Sequence, residues 1–248
     1  NPPTPSLLRH FSAPVNLIYP YTNQELALLS SHDQDAFARW ESGQELASRQ
    51  ILNLAAAWRQ SGQTCKPDSV MVKAWGAMLR DKTLDAGYLA RALSLPIEKT
   101  VLERMDEMDP IAVSQGLSAL KQQLGQHYRA ELMDLYHSNA TPGYYSPAPG
   151  PSGKRALKNL ALYYLISAQD TEAIELAFQQ FNHATNMTDR MAAFGALVHE
   201  THGPRTSDAI TAFYENWQHD PLVIDKWFAV LASSPQATIE DLLGLMAH

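Results

Sequence analysis

From Thr22 onward apolar residues return every three or four positions, the spacing of a single helix face, with polar residues between them. Phe37, Trp40, Ala47, Ile51, Leu54 and Trp58, with Gln44 among them, make the longest such stripe, closed by Ser61-Gly62. It predicts a long helix whose two Trp residues belong to the core rather than to a cofactor site. A second marked stretch is Phe181 to Glu200, where a polar turn gives way to Met191, Phe194, Leu197 and Val198 on one face. Thr188 is the expected cap there, with Asp189 beside the positive end of the helix dipole.

The remaining elements follow from start signals. Thr22-Asn-Gln-Glu25 reads as a capping box opening a short helix to about His32, and Asp33 is placed to cap the long one. Shorter amphipathic helices are expected over 68–80, 84–93, 97–105, 111–124, 127–139, 155–168, 171–180, 188–202, 206–219, 222–232 and 237 to the end. Pro67, Pro96 and Pro110 stand at or near starts, where a missing N–H does no harm. Residues 139–153, rich in Pro, Gly and Ser, read as a loop. Short helices with brief connections predict an all-α fold, a solenoid-like, superhelical array of antiparallel helix pairs, without a fixed-period sequence repeat.

The first twenty residues break this pattern. Pro2, Pro3, Pro5, Pro14 and Pro20 forbid a continuous helix, whereas Ala13-Pro-Val-Asn-Leu-Ile-Tyr19 alternates well enough for one β-strand. A single strand needs a partner, so it reads as completing a β structure upstream. The absence of an initiating Met agrees with a chain that begins inside something longer.

Composition narrows the classes. The 248 residues suffice for a sizeable core, and the net charge of -7 lacks the Lys and Arg clusters a nucleic-acid surface needs. No apolar run approaches the roughly 20 residues that span a bilayer, and no signal peptide is evident. The single Cys65 excludes an internal disulfide framework and fits a reducing, cytoplasmic setting.

Candidate chemistry is sparse. His199-Glu-Thr-His202 approximates the zincin pattern, but its His residues are three apart at a helix end, where His is favoured by the dipole and by free carbonyls. Cys65 beside Lys66 lacks a nearby His to act as base. Gly150-Pro-Ser-Gly153-Lys154 imitates part of a phosphate loop, yet Ala148 replaces the first Gly, Arg155 replaces the Ser or Thr, and no strand precedes it. His183 beside Asn182 reads as turn chemistry, and Asn139-Ala-Thr141 and Asn186-Met-Thr188 match the glycosylation pattern by spacing alone.

Several stretches together resemble the M1-family zinc aminopeptidases, in particular the C-terminal part of the bacterial aminopeptidase N type. They are Asn1-Pro-Pro-Thr-Pro-Ser-Leu-Leu-Arg9, Phe11-Ser-Ala-Pro-Val15, Phe37-Ala-Arg-Trp40, Asp109-Pro-Ile111, Lys154-Arg155 with Leu157 and Asn159, Asn186-Met-Thr-Asp189, and Leu222-Val-Ile-Asp-Lys-Trp-Phe228. The resemblance implies that residues 1–20 close a small β-sandwich domain and that 21–248 are most of a helical C-terminal domain, stopping before the family's last helices. It implies a bowl of paired helices that caps the catalytic domain of the same polypeptide and restricts which peptides enter. The family's zinc motif and its Gly-Ala-Met-Glu-Asn segment are absent, so the zinc of the parent enzyme would be bound outside this chain. No catalytic, substrate-binding or metal residue is carried over onto it. The rival readings are an autonomous helical-repeat scaffold for a protein partner and a small metalloenzyme built on His199, Glu200 and His202.

Overall fold

A computed structural model describes residues 3–15 and 17–247. After a 3-10 turn at Arg9–Phe11, thirteen α-helices follow among the described residues. They are α1 (Asn23–His32), α2 (Ala36–Ser61), α3 (Ser69–Leu79), α4 (Ala86–Leu93), α5 (Glu98–Leu102), α6 (Pro110–His127) and α7 (Arg129–Ser138). The chain continues as α8 (Pro149–Ser167), α9 (Thr171–His183), α10 (Met187–Glu200), α11 (Pro204–Trp217), α12 (Pro221–Ala232) and α13 (Ile239–Met246). Helices α2, α6, α8 and α10 form a row in which each touches the next, and α12 extends it from α10. Around this row α1 and α3 lie by α2, α4 and α7 by α8, and α9 and α11 by α10.

Most helices start on an acceptor side chain. Thr22 and Glu25 form the expected capping box, and Asp68, Asp85, Asp109, Asp170 and Asp220 each accept backbone N–H groups of the turn they open. Two expected caps move. Asp35 rather than Asp33 caps α2, and Asn186 rather than Thr188 caps α10. In each case the capping residue is the last one with extended backbone, and Thr188 already lies inside the helix.

Two further expectations are corrected. Helix α8 begins at Pro149, six residues before 155, because proline's fixed φ suits the first turn and its missing N–H leaves nothing unsatisfied there. The loop is therefore 139–148. At the other end, Ala13–Tyr19 is not a strand among the described residues: Val15 N–H bonds to the Ala13 carbonyl (3.0 Å) and Tyr21 N–H to that of Tyr19 (2.8 Å). A strand exists through its ladder, and these local turns leave none. Asn1, Pro2, Asn16 and His248 lie outside the described residues.

One hydrophobic core runs through the array from Leu26 to Trp227. The middle of the α2 stripe holds, with Ala47, Ile51 and Leu54 buried, but its ends do not: Phe37, Trp40 and Trp58 are only half-buried and the two Trp residues lie outside the core, while on α8 Leu157, Ala161 and Tyr164 point inward. Arg39 ties the first helices together. It donates to the Ser30 carbonyl (2.9 Å) and the Ser31 carbonyl (2.9 Å) at the end of α1 and to Asp81 (2.7 Å) beyond α3. The Thr83 hydroxyl and then Arg39 hold the Asp81 carboxyl at about 2. The core thins toward the end of the chain: Trp227 is the one buried residue among the described residues of α12 and none is buried in α13.

Two glycines set how closely the row packs. A Cβ on Gly116 would stand 2.7 Å from the Ile51 carbonyl of α2, and one on Gly125 would stand 2.2 Å from the Tyr164 carbonyl of α8. Backbone cannot retreat as a side-chain tip can. Gly125→Ala is expected to cost about 2–3 kcal/mol, since the gain in helix propensity is smaller than the strain of separating α6 from α8. Urea unfolding followed by circular dichroism measures it; an unchanged midpoint would mean the helices can part freely.

Candidate functional site

The zincin-like residues do not converge. His199 Nε2 is 3.0 Å from the Val230 carbonyl and so donates to α12, while Glu200 pairs with Lys121 of α6 and His202 is exposed beyond the end of α10. Lys121 also donates to the Tyr163 hydroxyl (3.2 Å), so the glutamate is committed to a salt bridge. Among the described residues no three His, Cys, Asp or Glu side chains come together as a metal site, and the zinc implied for the family does not fit here. Replacing both His199 and His202 by Ala is expected to leave the zinc retained after dialysis unchanged, by atomic emission. Stability should fall by about 1 kcal/mol for the lost bond to Val230.

The other sequence candidates separate as well. Cys65 is exposed after α2, where its carbonyl receives the Gln123 amide (3.3 Å). Lys154 is exposed, whereas Arg155 is buried, donating to the Ser146 carbonyl (2.7 Å) and to Ser152 Oγ (3.1 Å) with its guanidinium 4.5 Å from the Tyr145 ring centre. The phosphate-loop imitation fails on its own residues: Pro149 and Pro151 remove two of the N–H groups that would face an anion. His183 Nδ1 bonds back to the Gln179 carbonyl (2.9 Å) in the last turn of α9.

Several concavities could hold a molecule, among them two of about 510 and 300 Å3. The larger is a cavity of about 510 Å3 between residues 7–21 and helices α1 and α2, walled by Phe11, Tyr19, Phe37 and Trp40. Leu8 and Phe11, which line it, have φ 52° and 51°, a left-handed backbone that costs non-glycine residues about 1–3 kcal/mol each. Glu45 accepts from Arg49 (2.7 Å) and Arg104 (2.5 Å) at its side. Burial pushes the Glu45 carboxyl up, but the two guanidinium groups outweigh it and hold it below its ordinary value. A carboxylate so neutralised is poorly suited to accept a proton.

The second is a cleft of about 300 Å3 where the end of α7, α8 and the α9–α10 turn meet. Its floor is an ion pair, Lys158 Nζ to Asp189 Oδ2 at 2.8 Å, with both side chains about nine-tenths buried. Asp189 also accepts from Asn159 (3.0 Å) and Asn186 (3.1 Å), and Gln180 Nε2 donates to Asn159 Oδ1 (2.8 Å) and the Asp189 carbonyl (2.9 Å). Burial raises the Asp189 carboxyl, yet Lys158, Asn186 and Asn159 together hold it below the usual carboxylate range. Sequence reasoning read Asp189 as a helix-dipole charge and missed Lys158 and Gln180. The partners are 9 to 31 residues apart, beyond any local pattern.

Comparison with known proteins gives a consistent picture. Residues 23–248 match the family described as "Domain of unknown function (DUF3458_C) ARM repeats". Over 248 residues the chain is 35% identical to aminopeptidase N of Escherichia coli (strain K12), covering 99% of this chain and 28% of that protein. It is 32% identical over 252 residues to aminopeptidase N of Caulobacter vibrioides, again spanning 28% of the relative. Among solved structures, Legionella pneumophila aminopeptidase A in complex with aspartic acid is similar over the whole of this chain and 30% of its own, with a TM-score of 0.84 and 26% identity. The chain thus spans under a third of the length of the curated relatives it matches.

Proposed function

We propose, from the premise that the chain belongs to the DUF3458_C family of ARM-repeat domains, that it is the helical C-terminal region of a zinc-dependent aminopeptidase acting on peptides. The observation that carries this reading is likeness along the whole chain to aminopeptidases, 28% of whose length it matches. Its work is steric. The row α2, α6, α8, α10 and α12 is the inner layer of a superhelical bowl that caps the catalytic region of the same polypeptide and limits entry to peptides. Zinc and the catalytic groups belong to that other region, and this chain contributes no catalytic, metal-binding or substrate-binding residue to the reaction. Residues up to about 20 belong to the end of a β-sandwich domain of that polypeptide, and 21–248 to its helical domain. The setting is cytoplasmic; no described helix is long and apolar enough to cross a membrane.

A second reading, a free-standing helical scaffold for a protein partner, is favoured by the exposed apolar side chains of Leu222, Ile239, Leu243 and Met246 on α12 and α13. One experiment separates the two. An antibody raised against this chain is used on a native gel and a denaturing blot of its source cells. The enzyme reading expects a band far above 27.5 kDa that comigrates with aminoacyl-p-nitroanilide hydrolysis. A band at 27.5 kDa without activity would favour the scaffold.

A further inference from the structure

The 510 Å3 cavity beside α1 and α2 joins an aromatic wall to a carboxylate that has no partner. The ring centres of Phe11 and Phe37 are 5.1 Å apart and those of Phe37 and Trp40 6.0 Å, so three rings run together along its lining. Tyr19 and Tyr21, 4.4 Å apart, add a second pair. Glu41 and Glu45 line the same cavity from α2, four positions apart and so on one helix face. Their settings differ. Glu45 receives Arg49 and Arg104, which commits both guanidinium groups to it. Glu41 makes no hydrogen bond or ion pair among the described residues, and it is exposed where it lines the cavity. A ligand can therefore reach it, yet the protein atoms around it take away part of its water. That burial pushes the Glu41 carboxyl up, by more than nearby Arg104 draws it down.

We propose that this cavity binds a small organic ammonium ion, an aryl- or alkylamine in its protonated form, with its charge at Glu41 and its apolar body against Phe11, Phe37 and Trp40. Charge selects the class. An anion would meet the Glu41 carboxylate while Arg49 and Arg104 remain on Glu45, and a neutral molecule would leave Glu41 without a counter-charge. A cation takes the place of the water that Glu41 has lost, and the faces of the aromatic rings attract it further. Trp40 already shows this property toward Arg91, whose guanidinium lies 5.5 Å from its ring centre and outside the cavity lining. A bare metal ion would find a single free carboxylate, too few ligands to hold it. The volume suits the class, since small-molecule pockets run from about 300 to 1,000 Å3.

The test uses the 248-residue chain and two-dimensional 1H–15N spectra at pH 7. Phenethylamine, protonated at this pH, is expected to shift the Trp40 indole N–H and the backbone signals of Phe37, Trp40 and Glu41 saturably. 2-Phenylethanol keeps the ring and carries a hydroxyl in place of the ammonium. It should bind about 10-fold more weakly, the combined worth of a partly solvated ion pair and a cation–π contact. 3-Phenylpropanoate should give no saturable shift at these positions. Glu41→Gln keeps the shape of the side chain and should remove most of the preference for the amine. Binding of the alcohol as tight as that of the amine, no saturable shift at Trp40 with the amine, or an undiminished preference in the variant would each overturn the assignment. The comparison of ligands on the unaltered chain decides the matter even where that variant does not fold.

Discussion

Asp189→Ala is expected to lower the stability of this chain by about 3–5 kcal/mol, because it leaves the Lys158 ammonium buried with no counter-charge. The pair lies at the junction of α8 and α10, and its carboxylate also orders Asn159, Asn186 and, through Asn159, Gln180. Loss of one partner therefore costs more than loss of both. The double replacement Lys158→Met with Asp189→Leu should recover much of the deficit, since the two charges need no desolvation once they are gone. Urea midpoints of the three proteins at pH 7 measure this; a single variant as stable as the parent would mean Lys158 reaches water. The pH dependence has a definite sign. The folded Asp189 carboxyl lies below its ordinary value of 3.8, so its contribution is fully present above that pH and is lost as pH falls through the lower, folded pKa. Asp189→Asn should flatten the acid limb of the stability profile.

Phe194→Ala should cost a similar amount, about 3–5 kcal/mol, through a cavity rather than a charge. Phe194 is fully buried on α10, with its ring centre 4.7 Å from that of Phe213 on α11 and 5.9 Å from that of Phe181 on α9. The three rings form one stack where three helices meet, so truncation opens space that no single side chain can fill. At this chain length a loss of that size corresponds to a melting point lower by roughly 10 °C. Phe194→Leu, which keeps most of the volume, should lose only about 1.5 kcal/mol. Equal melting points for the two variants would show that the site collapses around the smaller residue. Because α10 touches α8, α9, α11 and α12, the unfolding should remain cooperative across the second half of the chain.

Helix content was legible because it is local. Apolar residues three and four apart on Phe194, Leu197 and Val198, or on Ala47, Ile51 and Leu54, can be buried only by a helix, and each is buried. Thr22 with Glu25 carried its own capping chemistry in four residues. Errors fell at boundaries. Asn186 and Thr188, or Asp33 and Asp35, are equally good acceptors two positions apart, and the choice rests on where the incoming backbone stops being extended. The early start of α8 was hidden by Pro149, Gly150 and Pro151, residues that also belong to loops. Ala13–Tyr19 alternates like a strand, yet alternation supplies only one half of a ladder.

The cleft lay beyond such reasoning. Lys158, Gln180 and Asp189 stand on three helices, and nothing in their spacing announces that one carboxylate will orient two amides and leave an acceptor unmet. The approach of α6 to α8 at Gly125 is equally non-local, since a glycine inside a helix pattern does not say which backbone it faces. By itself the sequence determined a helical chain, because propensity, periodicity and capping act within about ten residues. The tertiary structure decided which helices became neighbours, and with them which buried charges found partners, because those energies depend on groups the chain brings together only by folding.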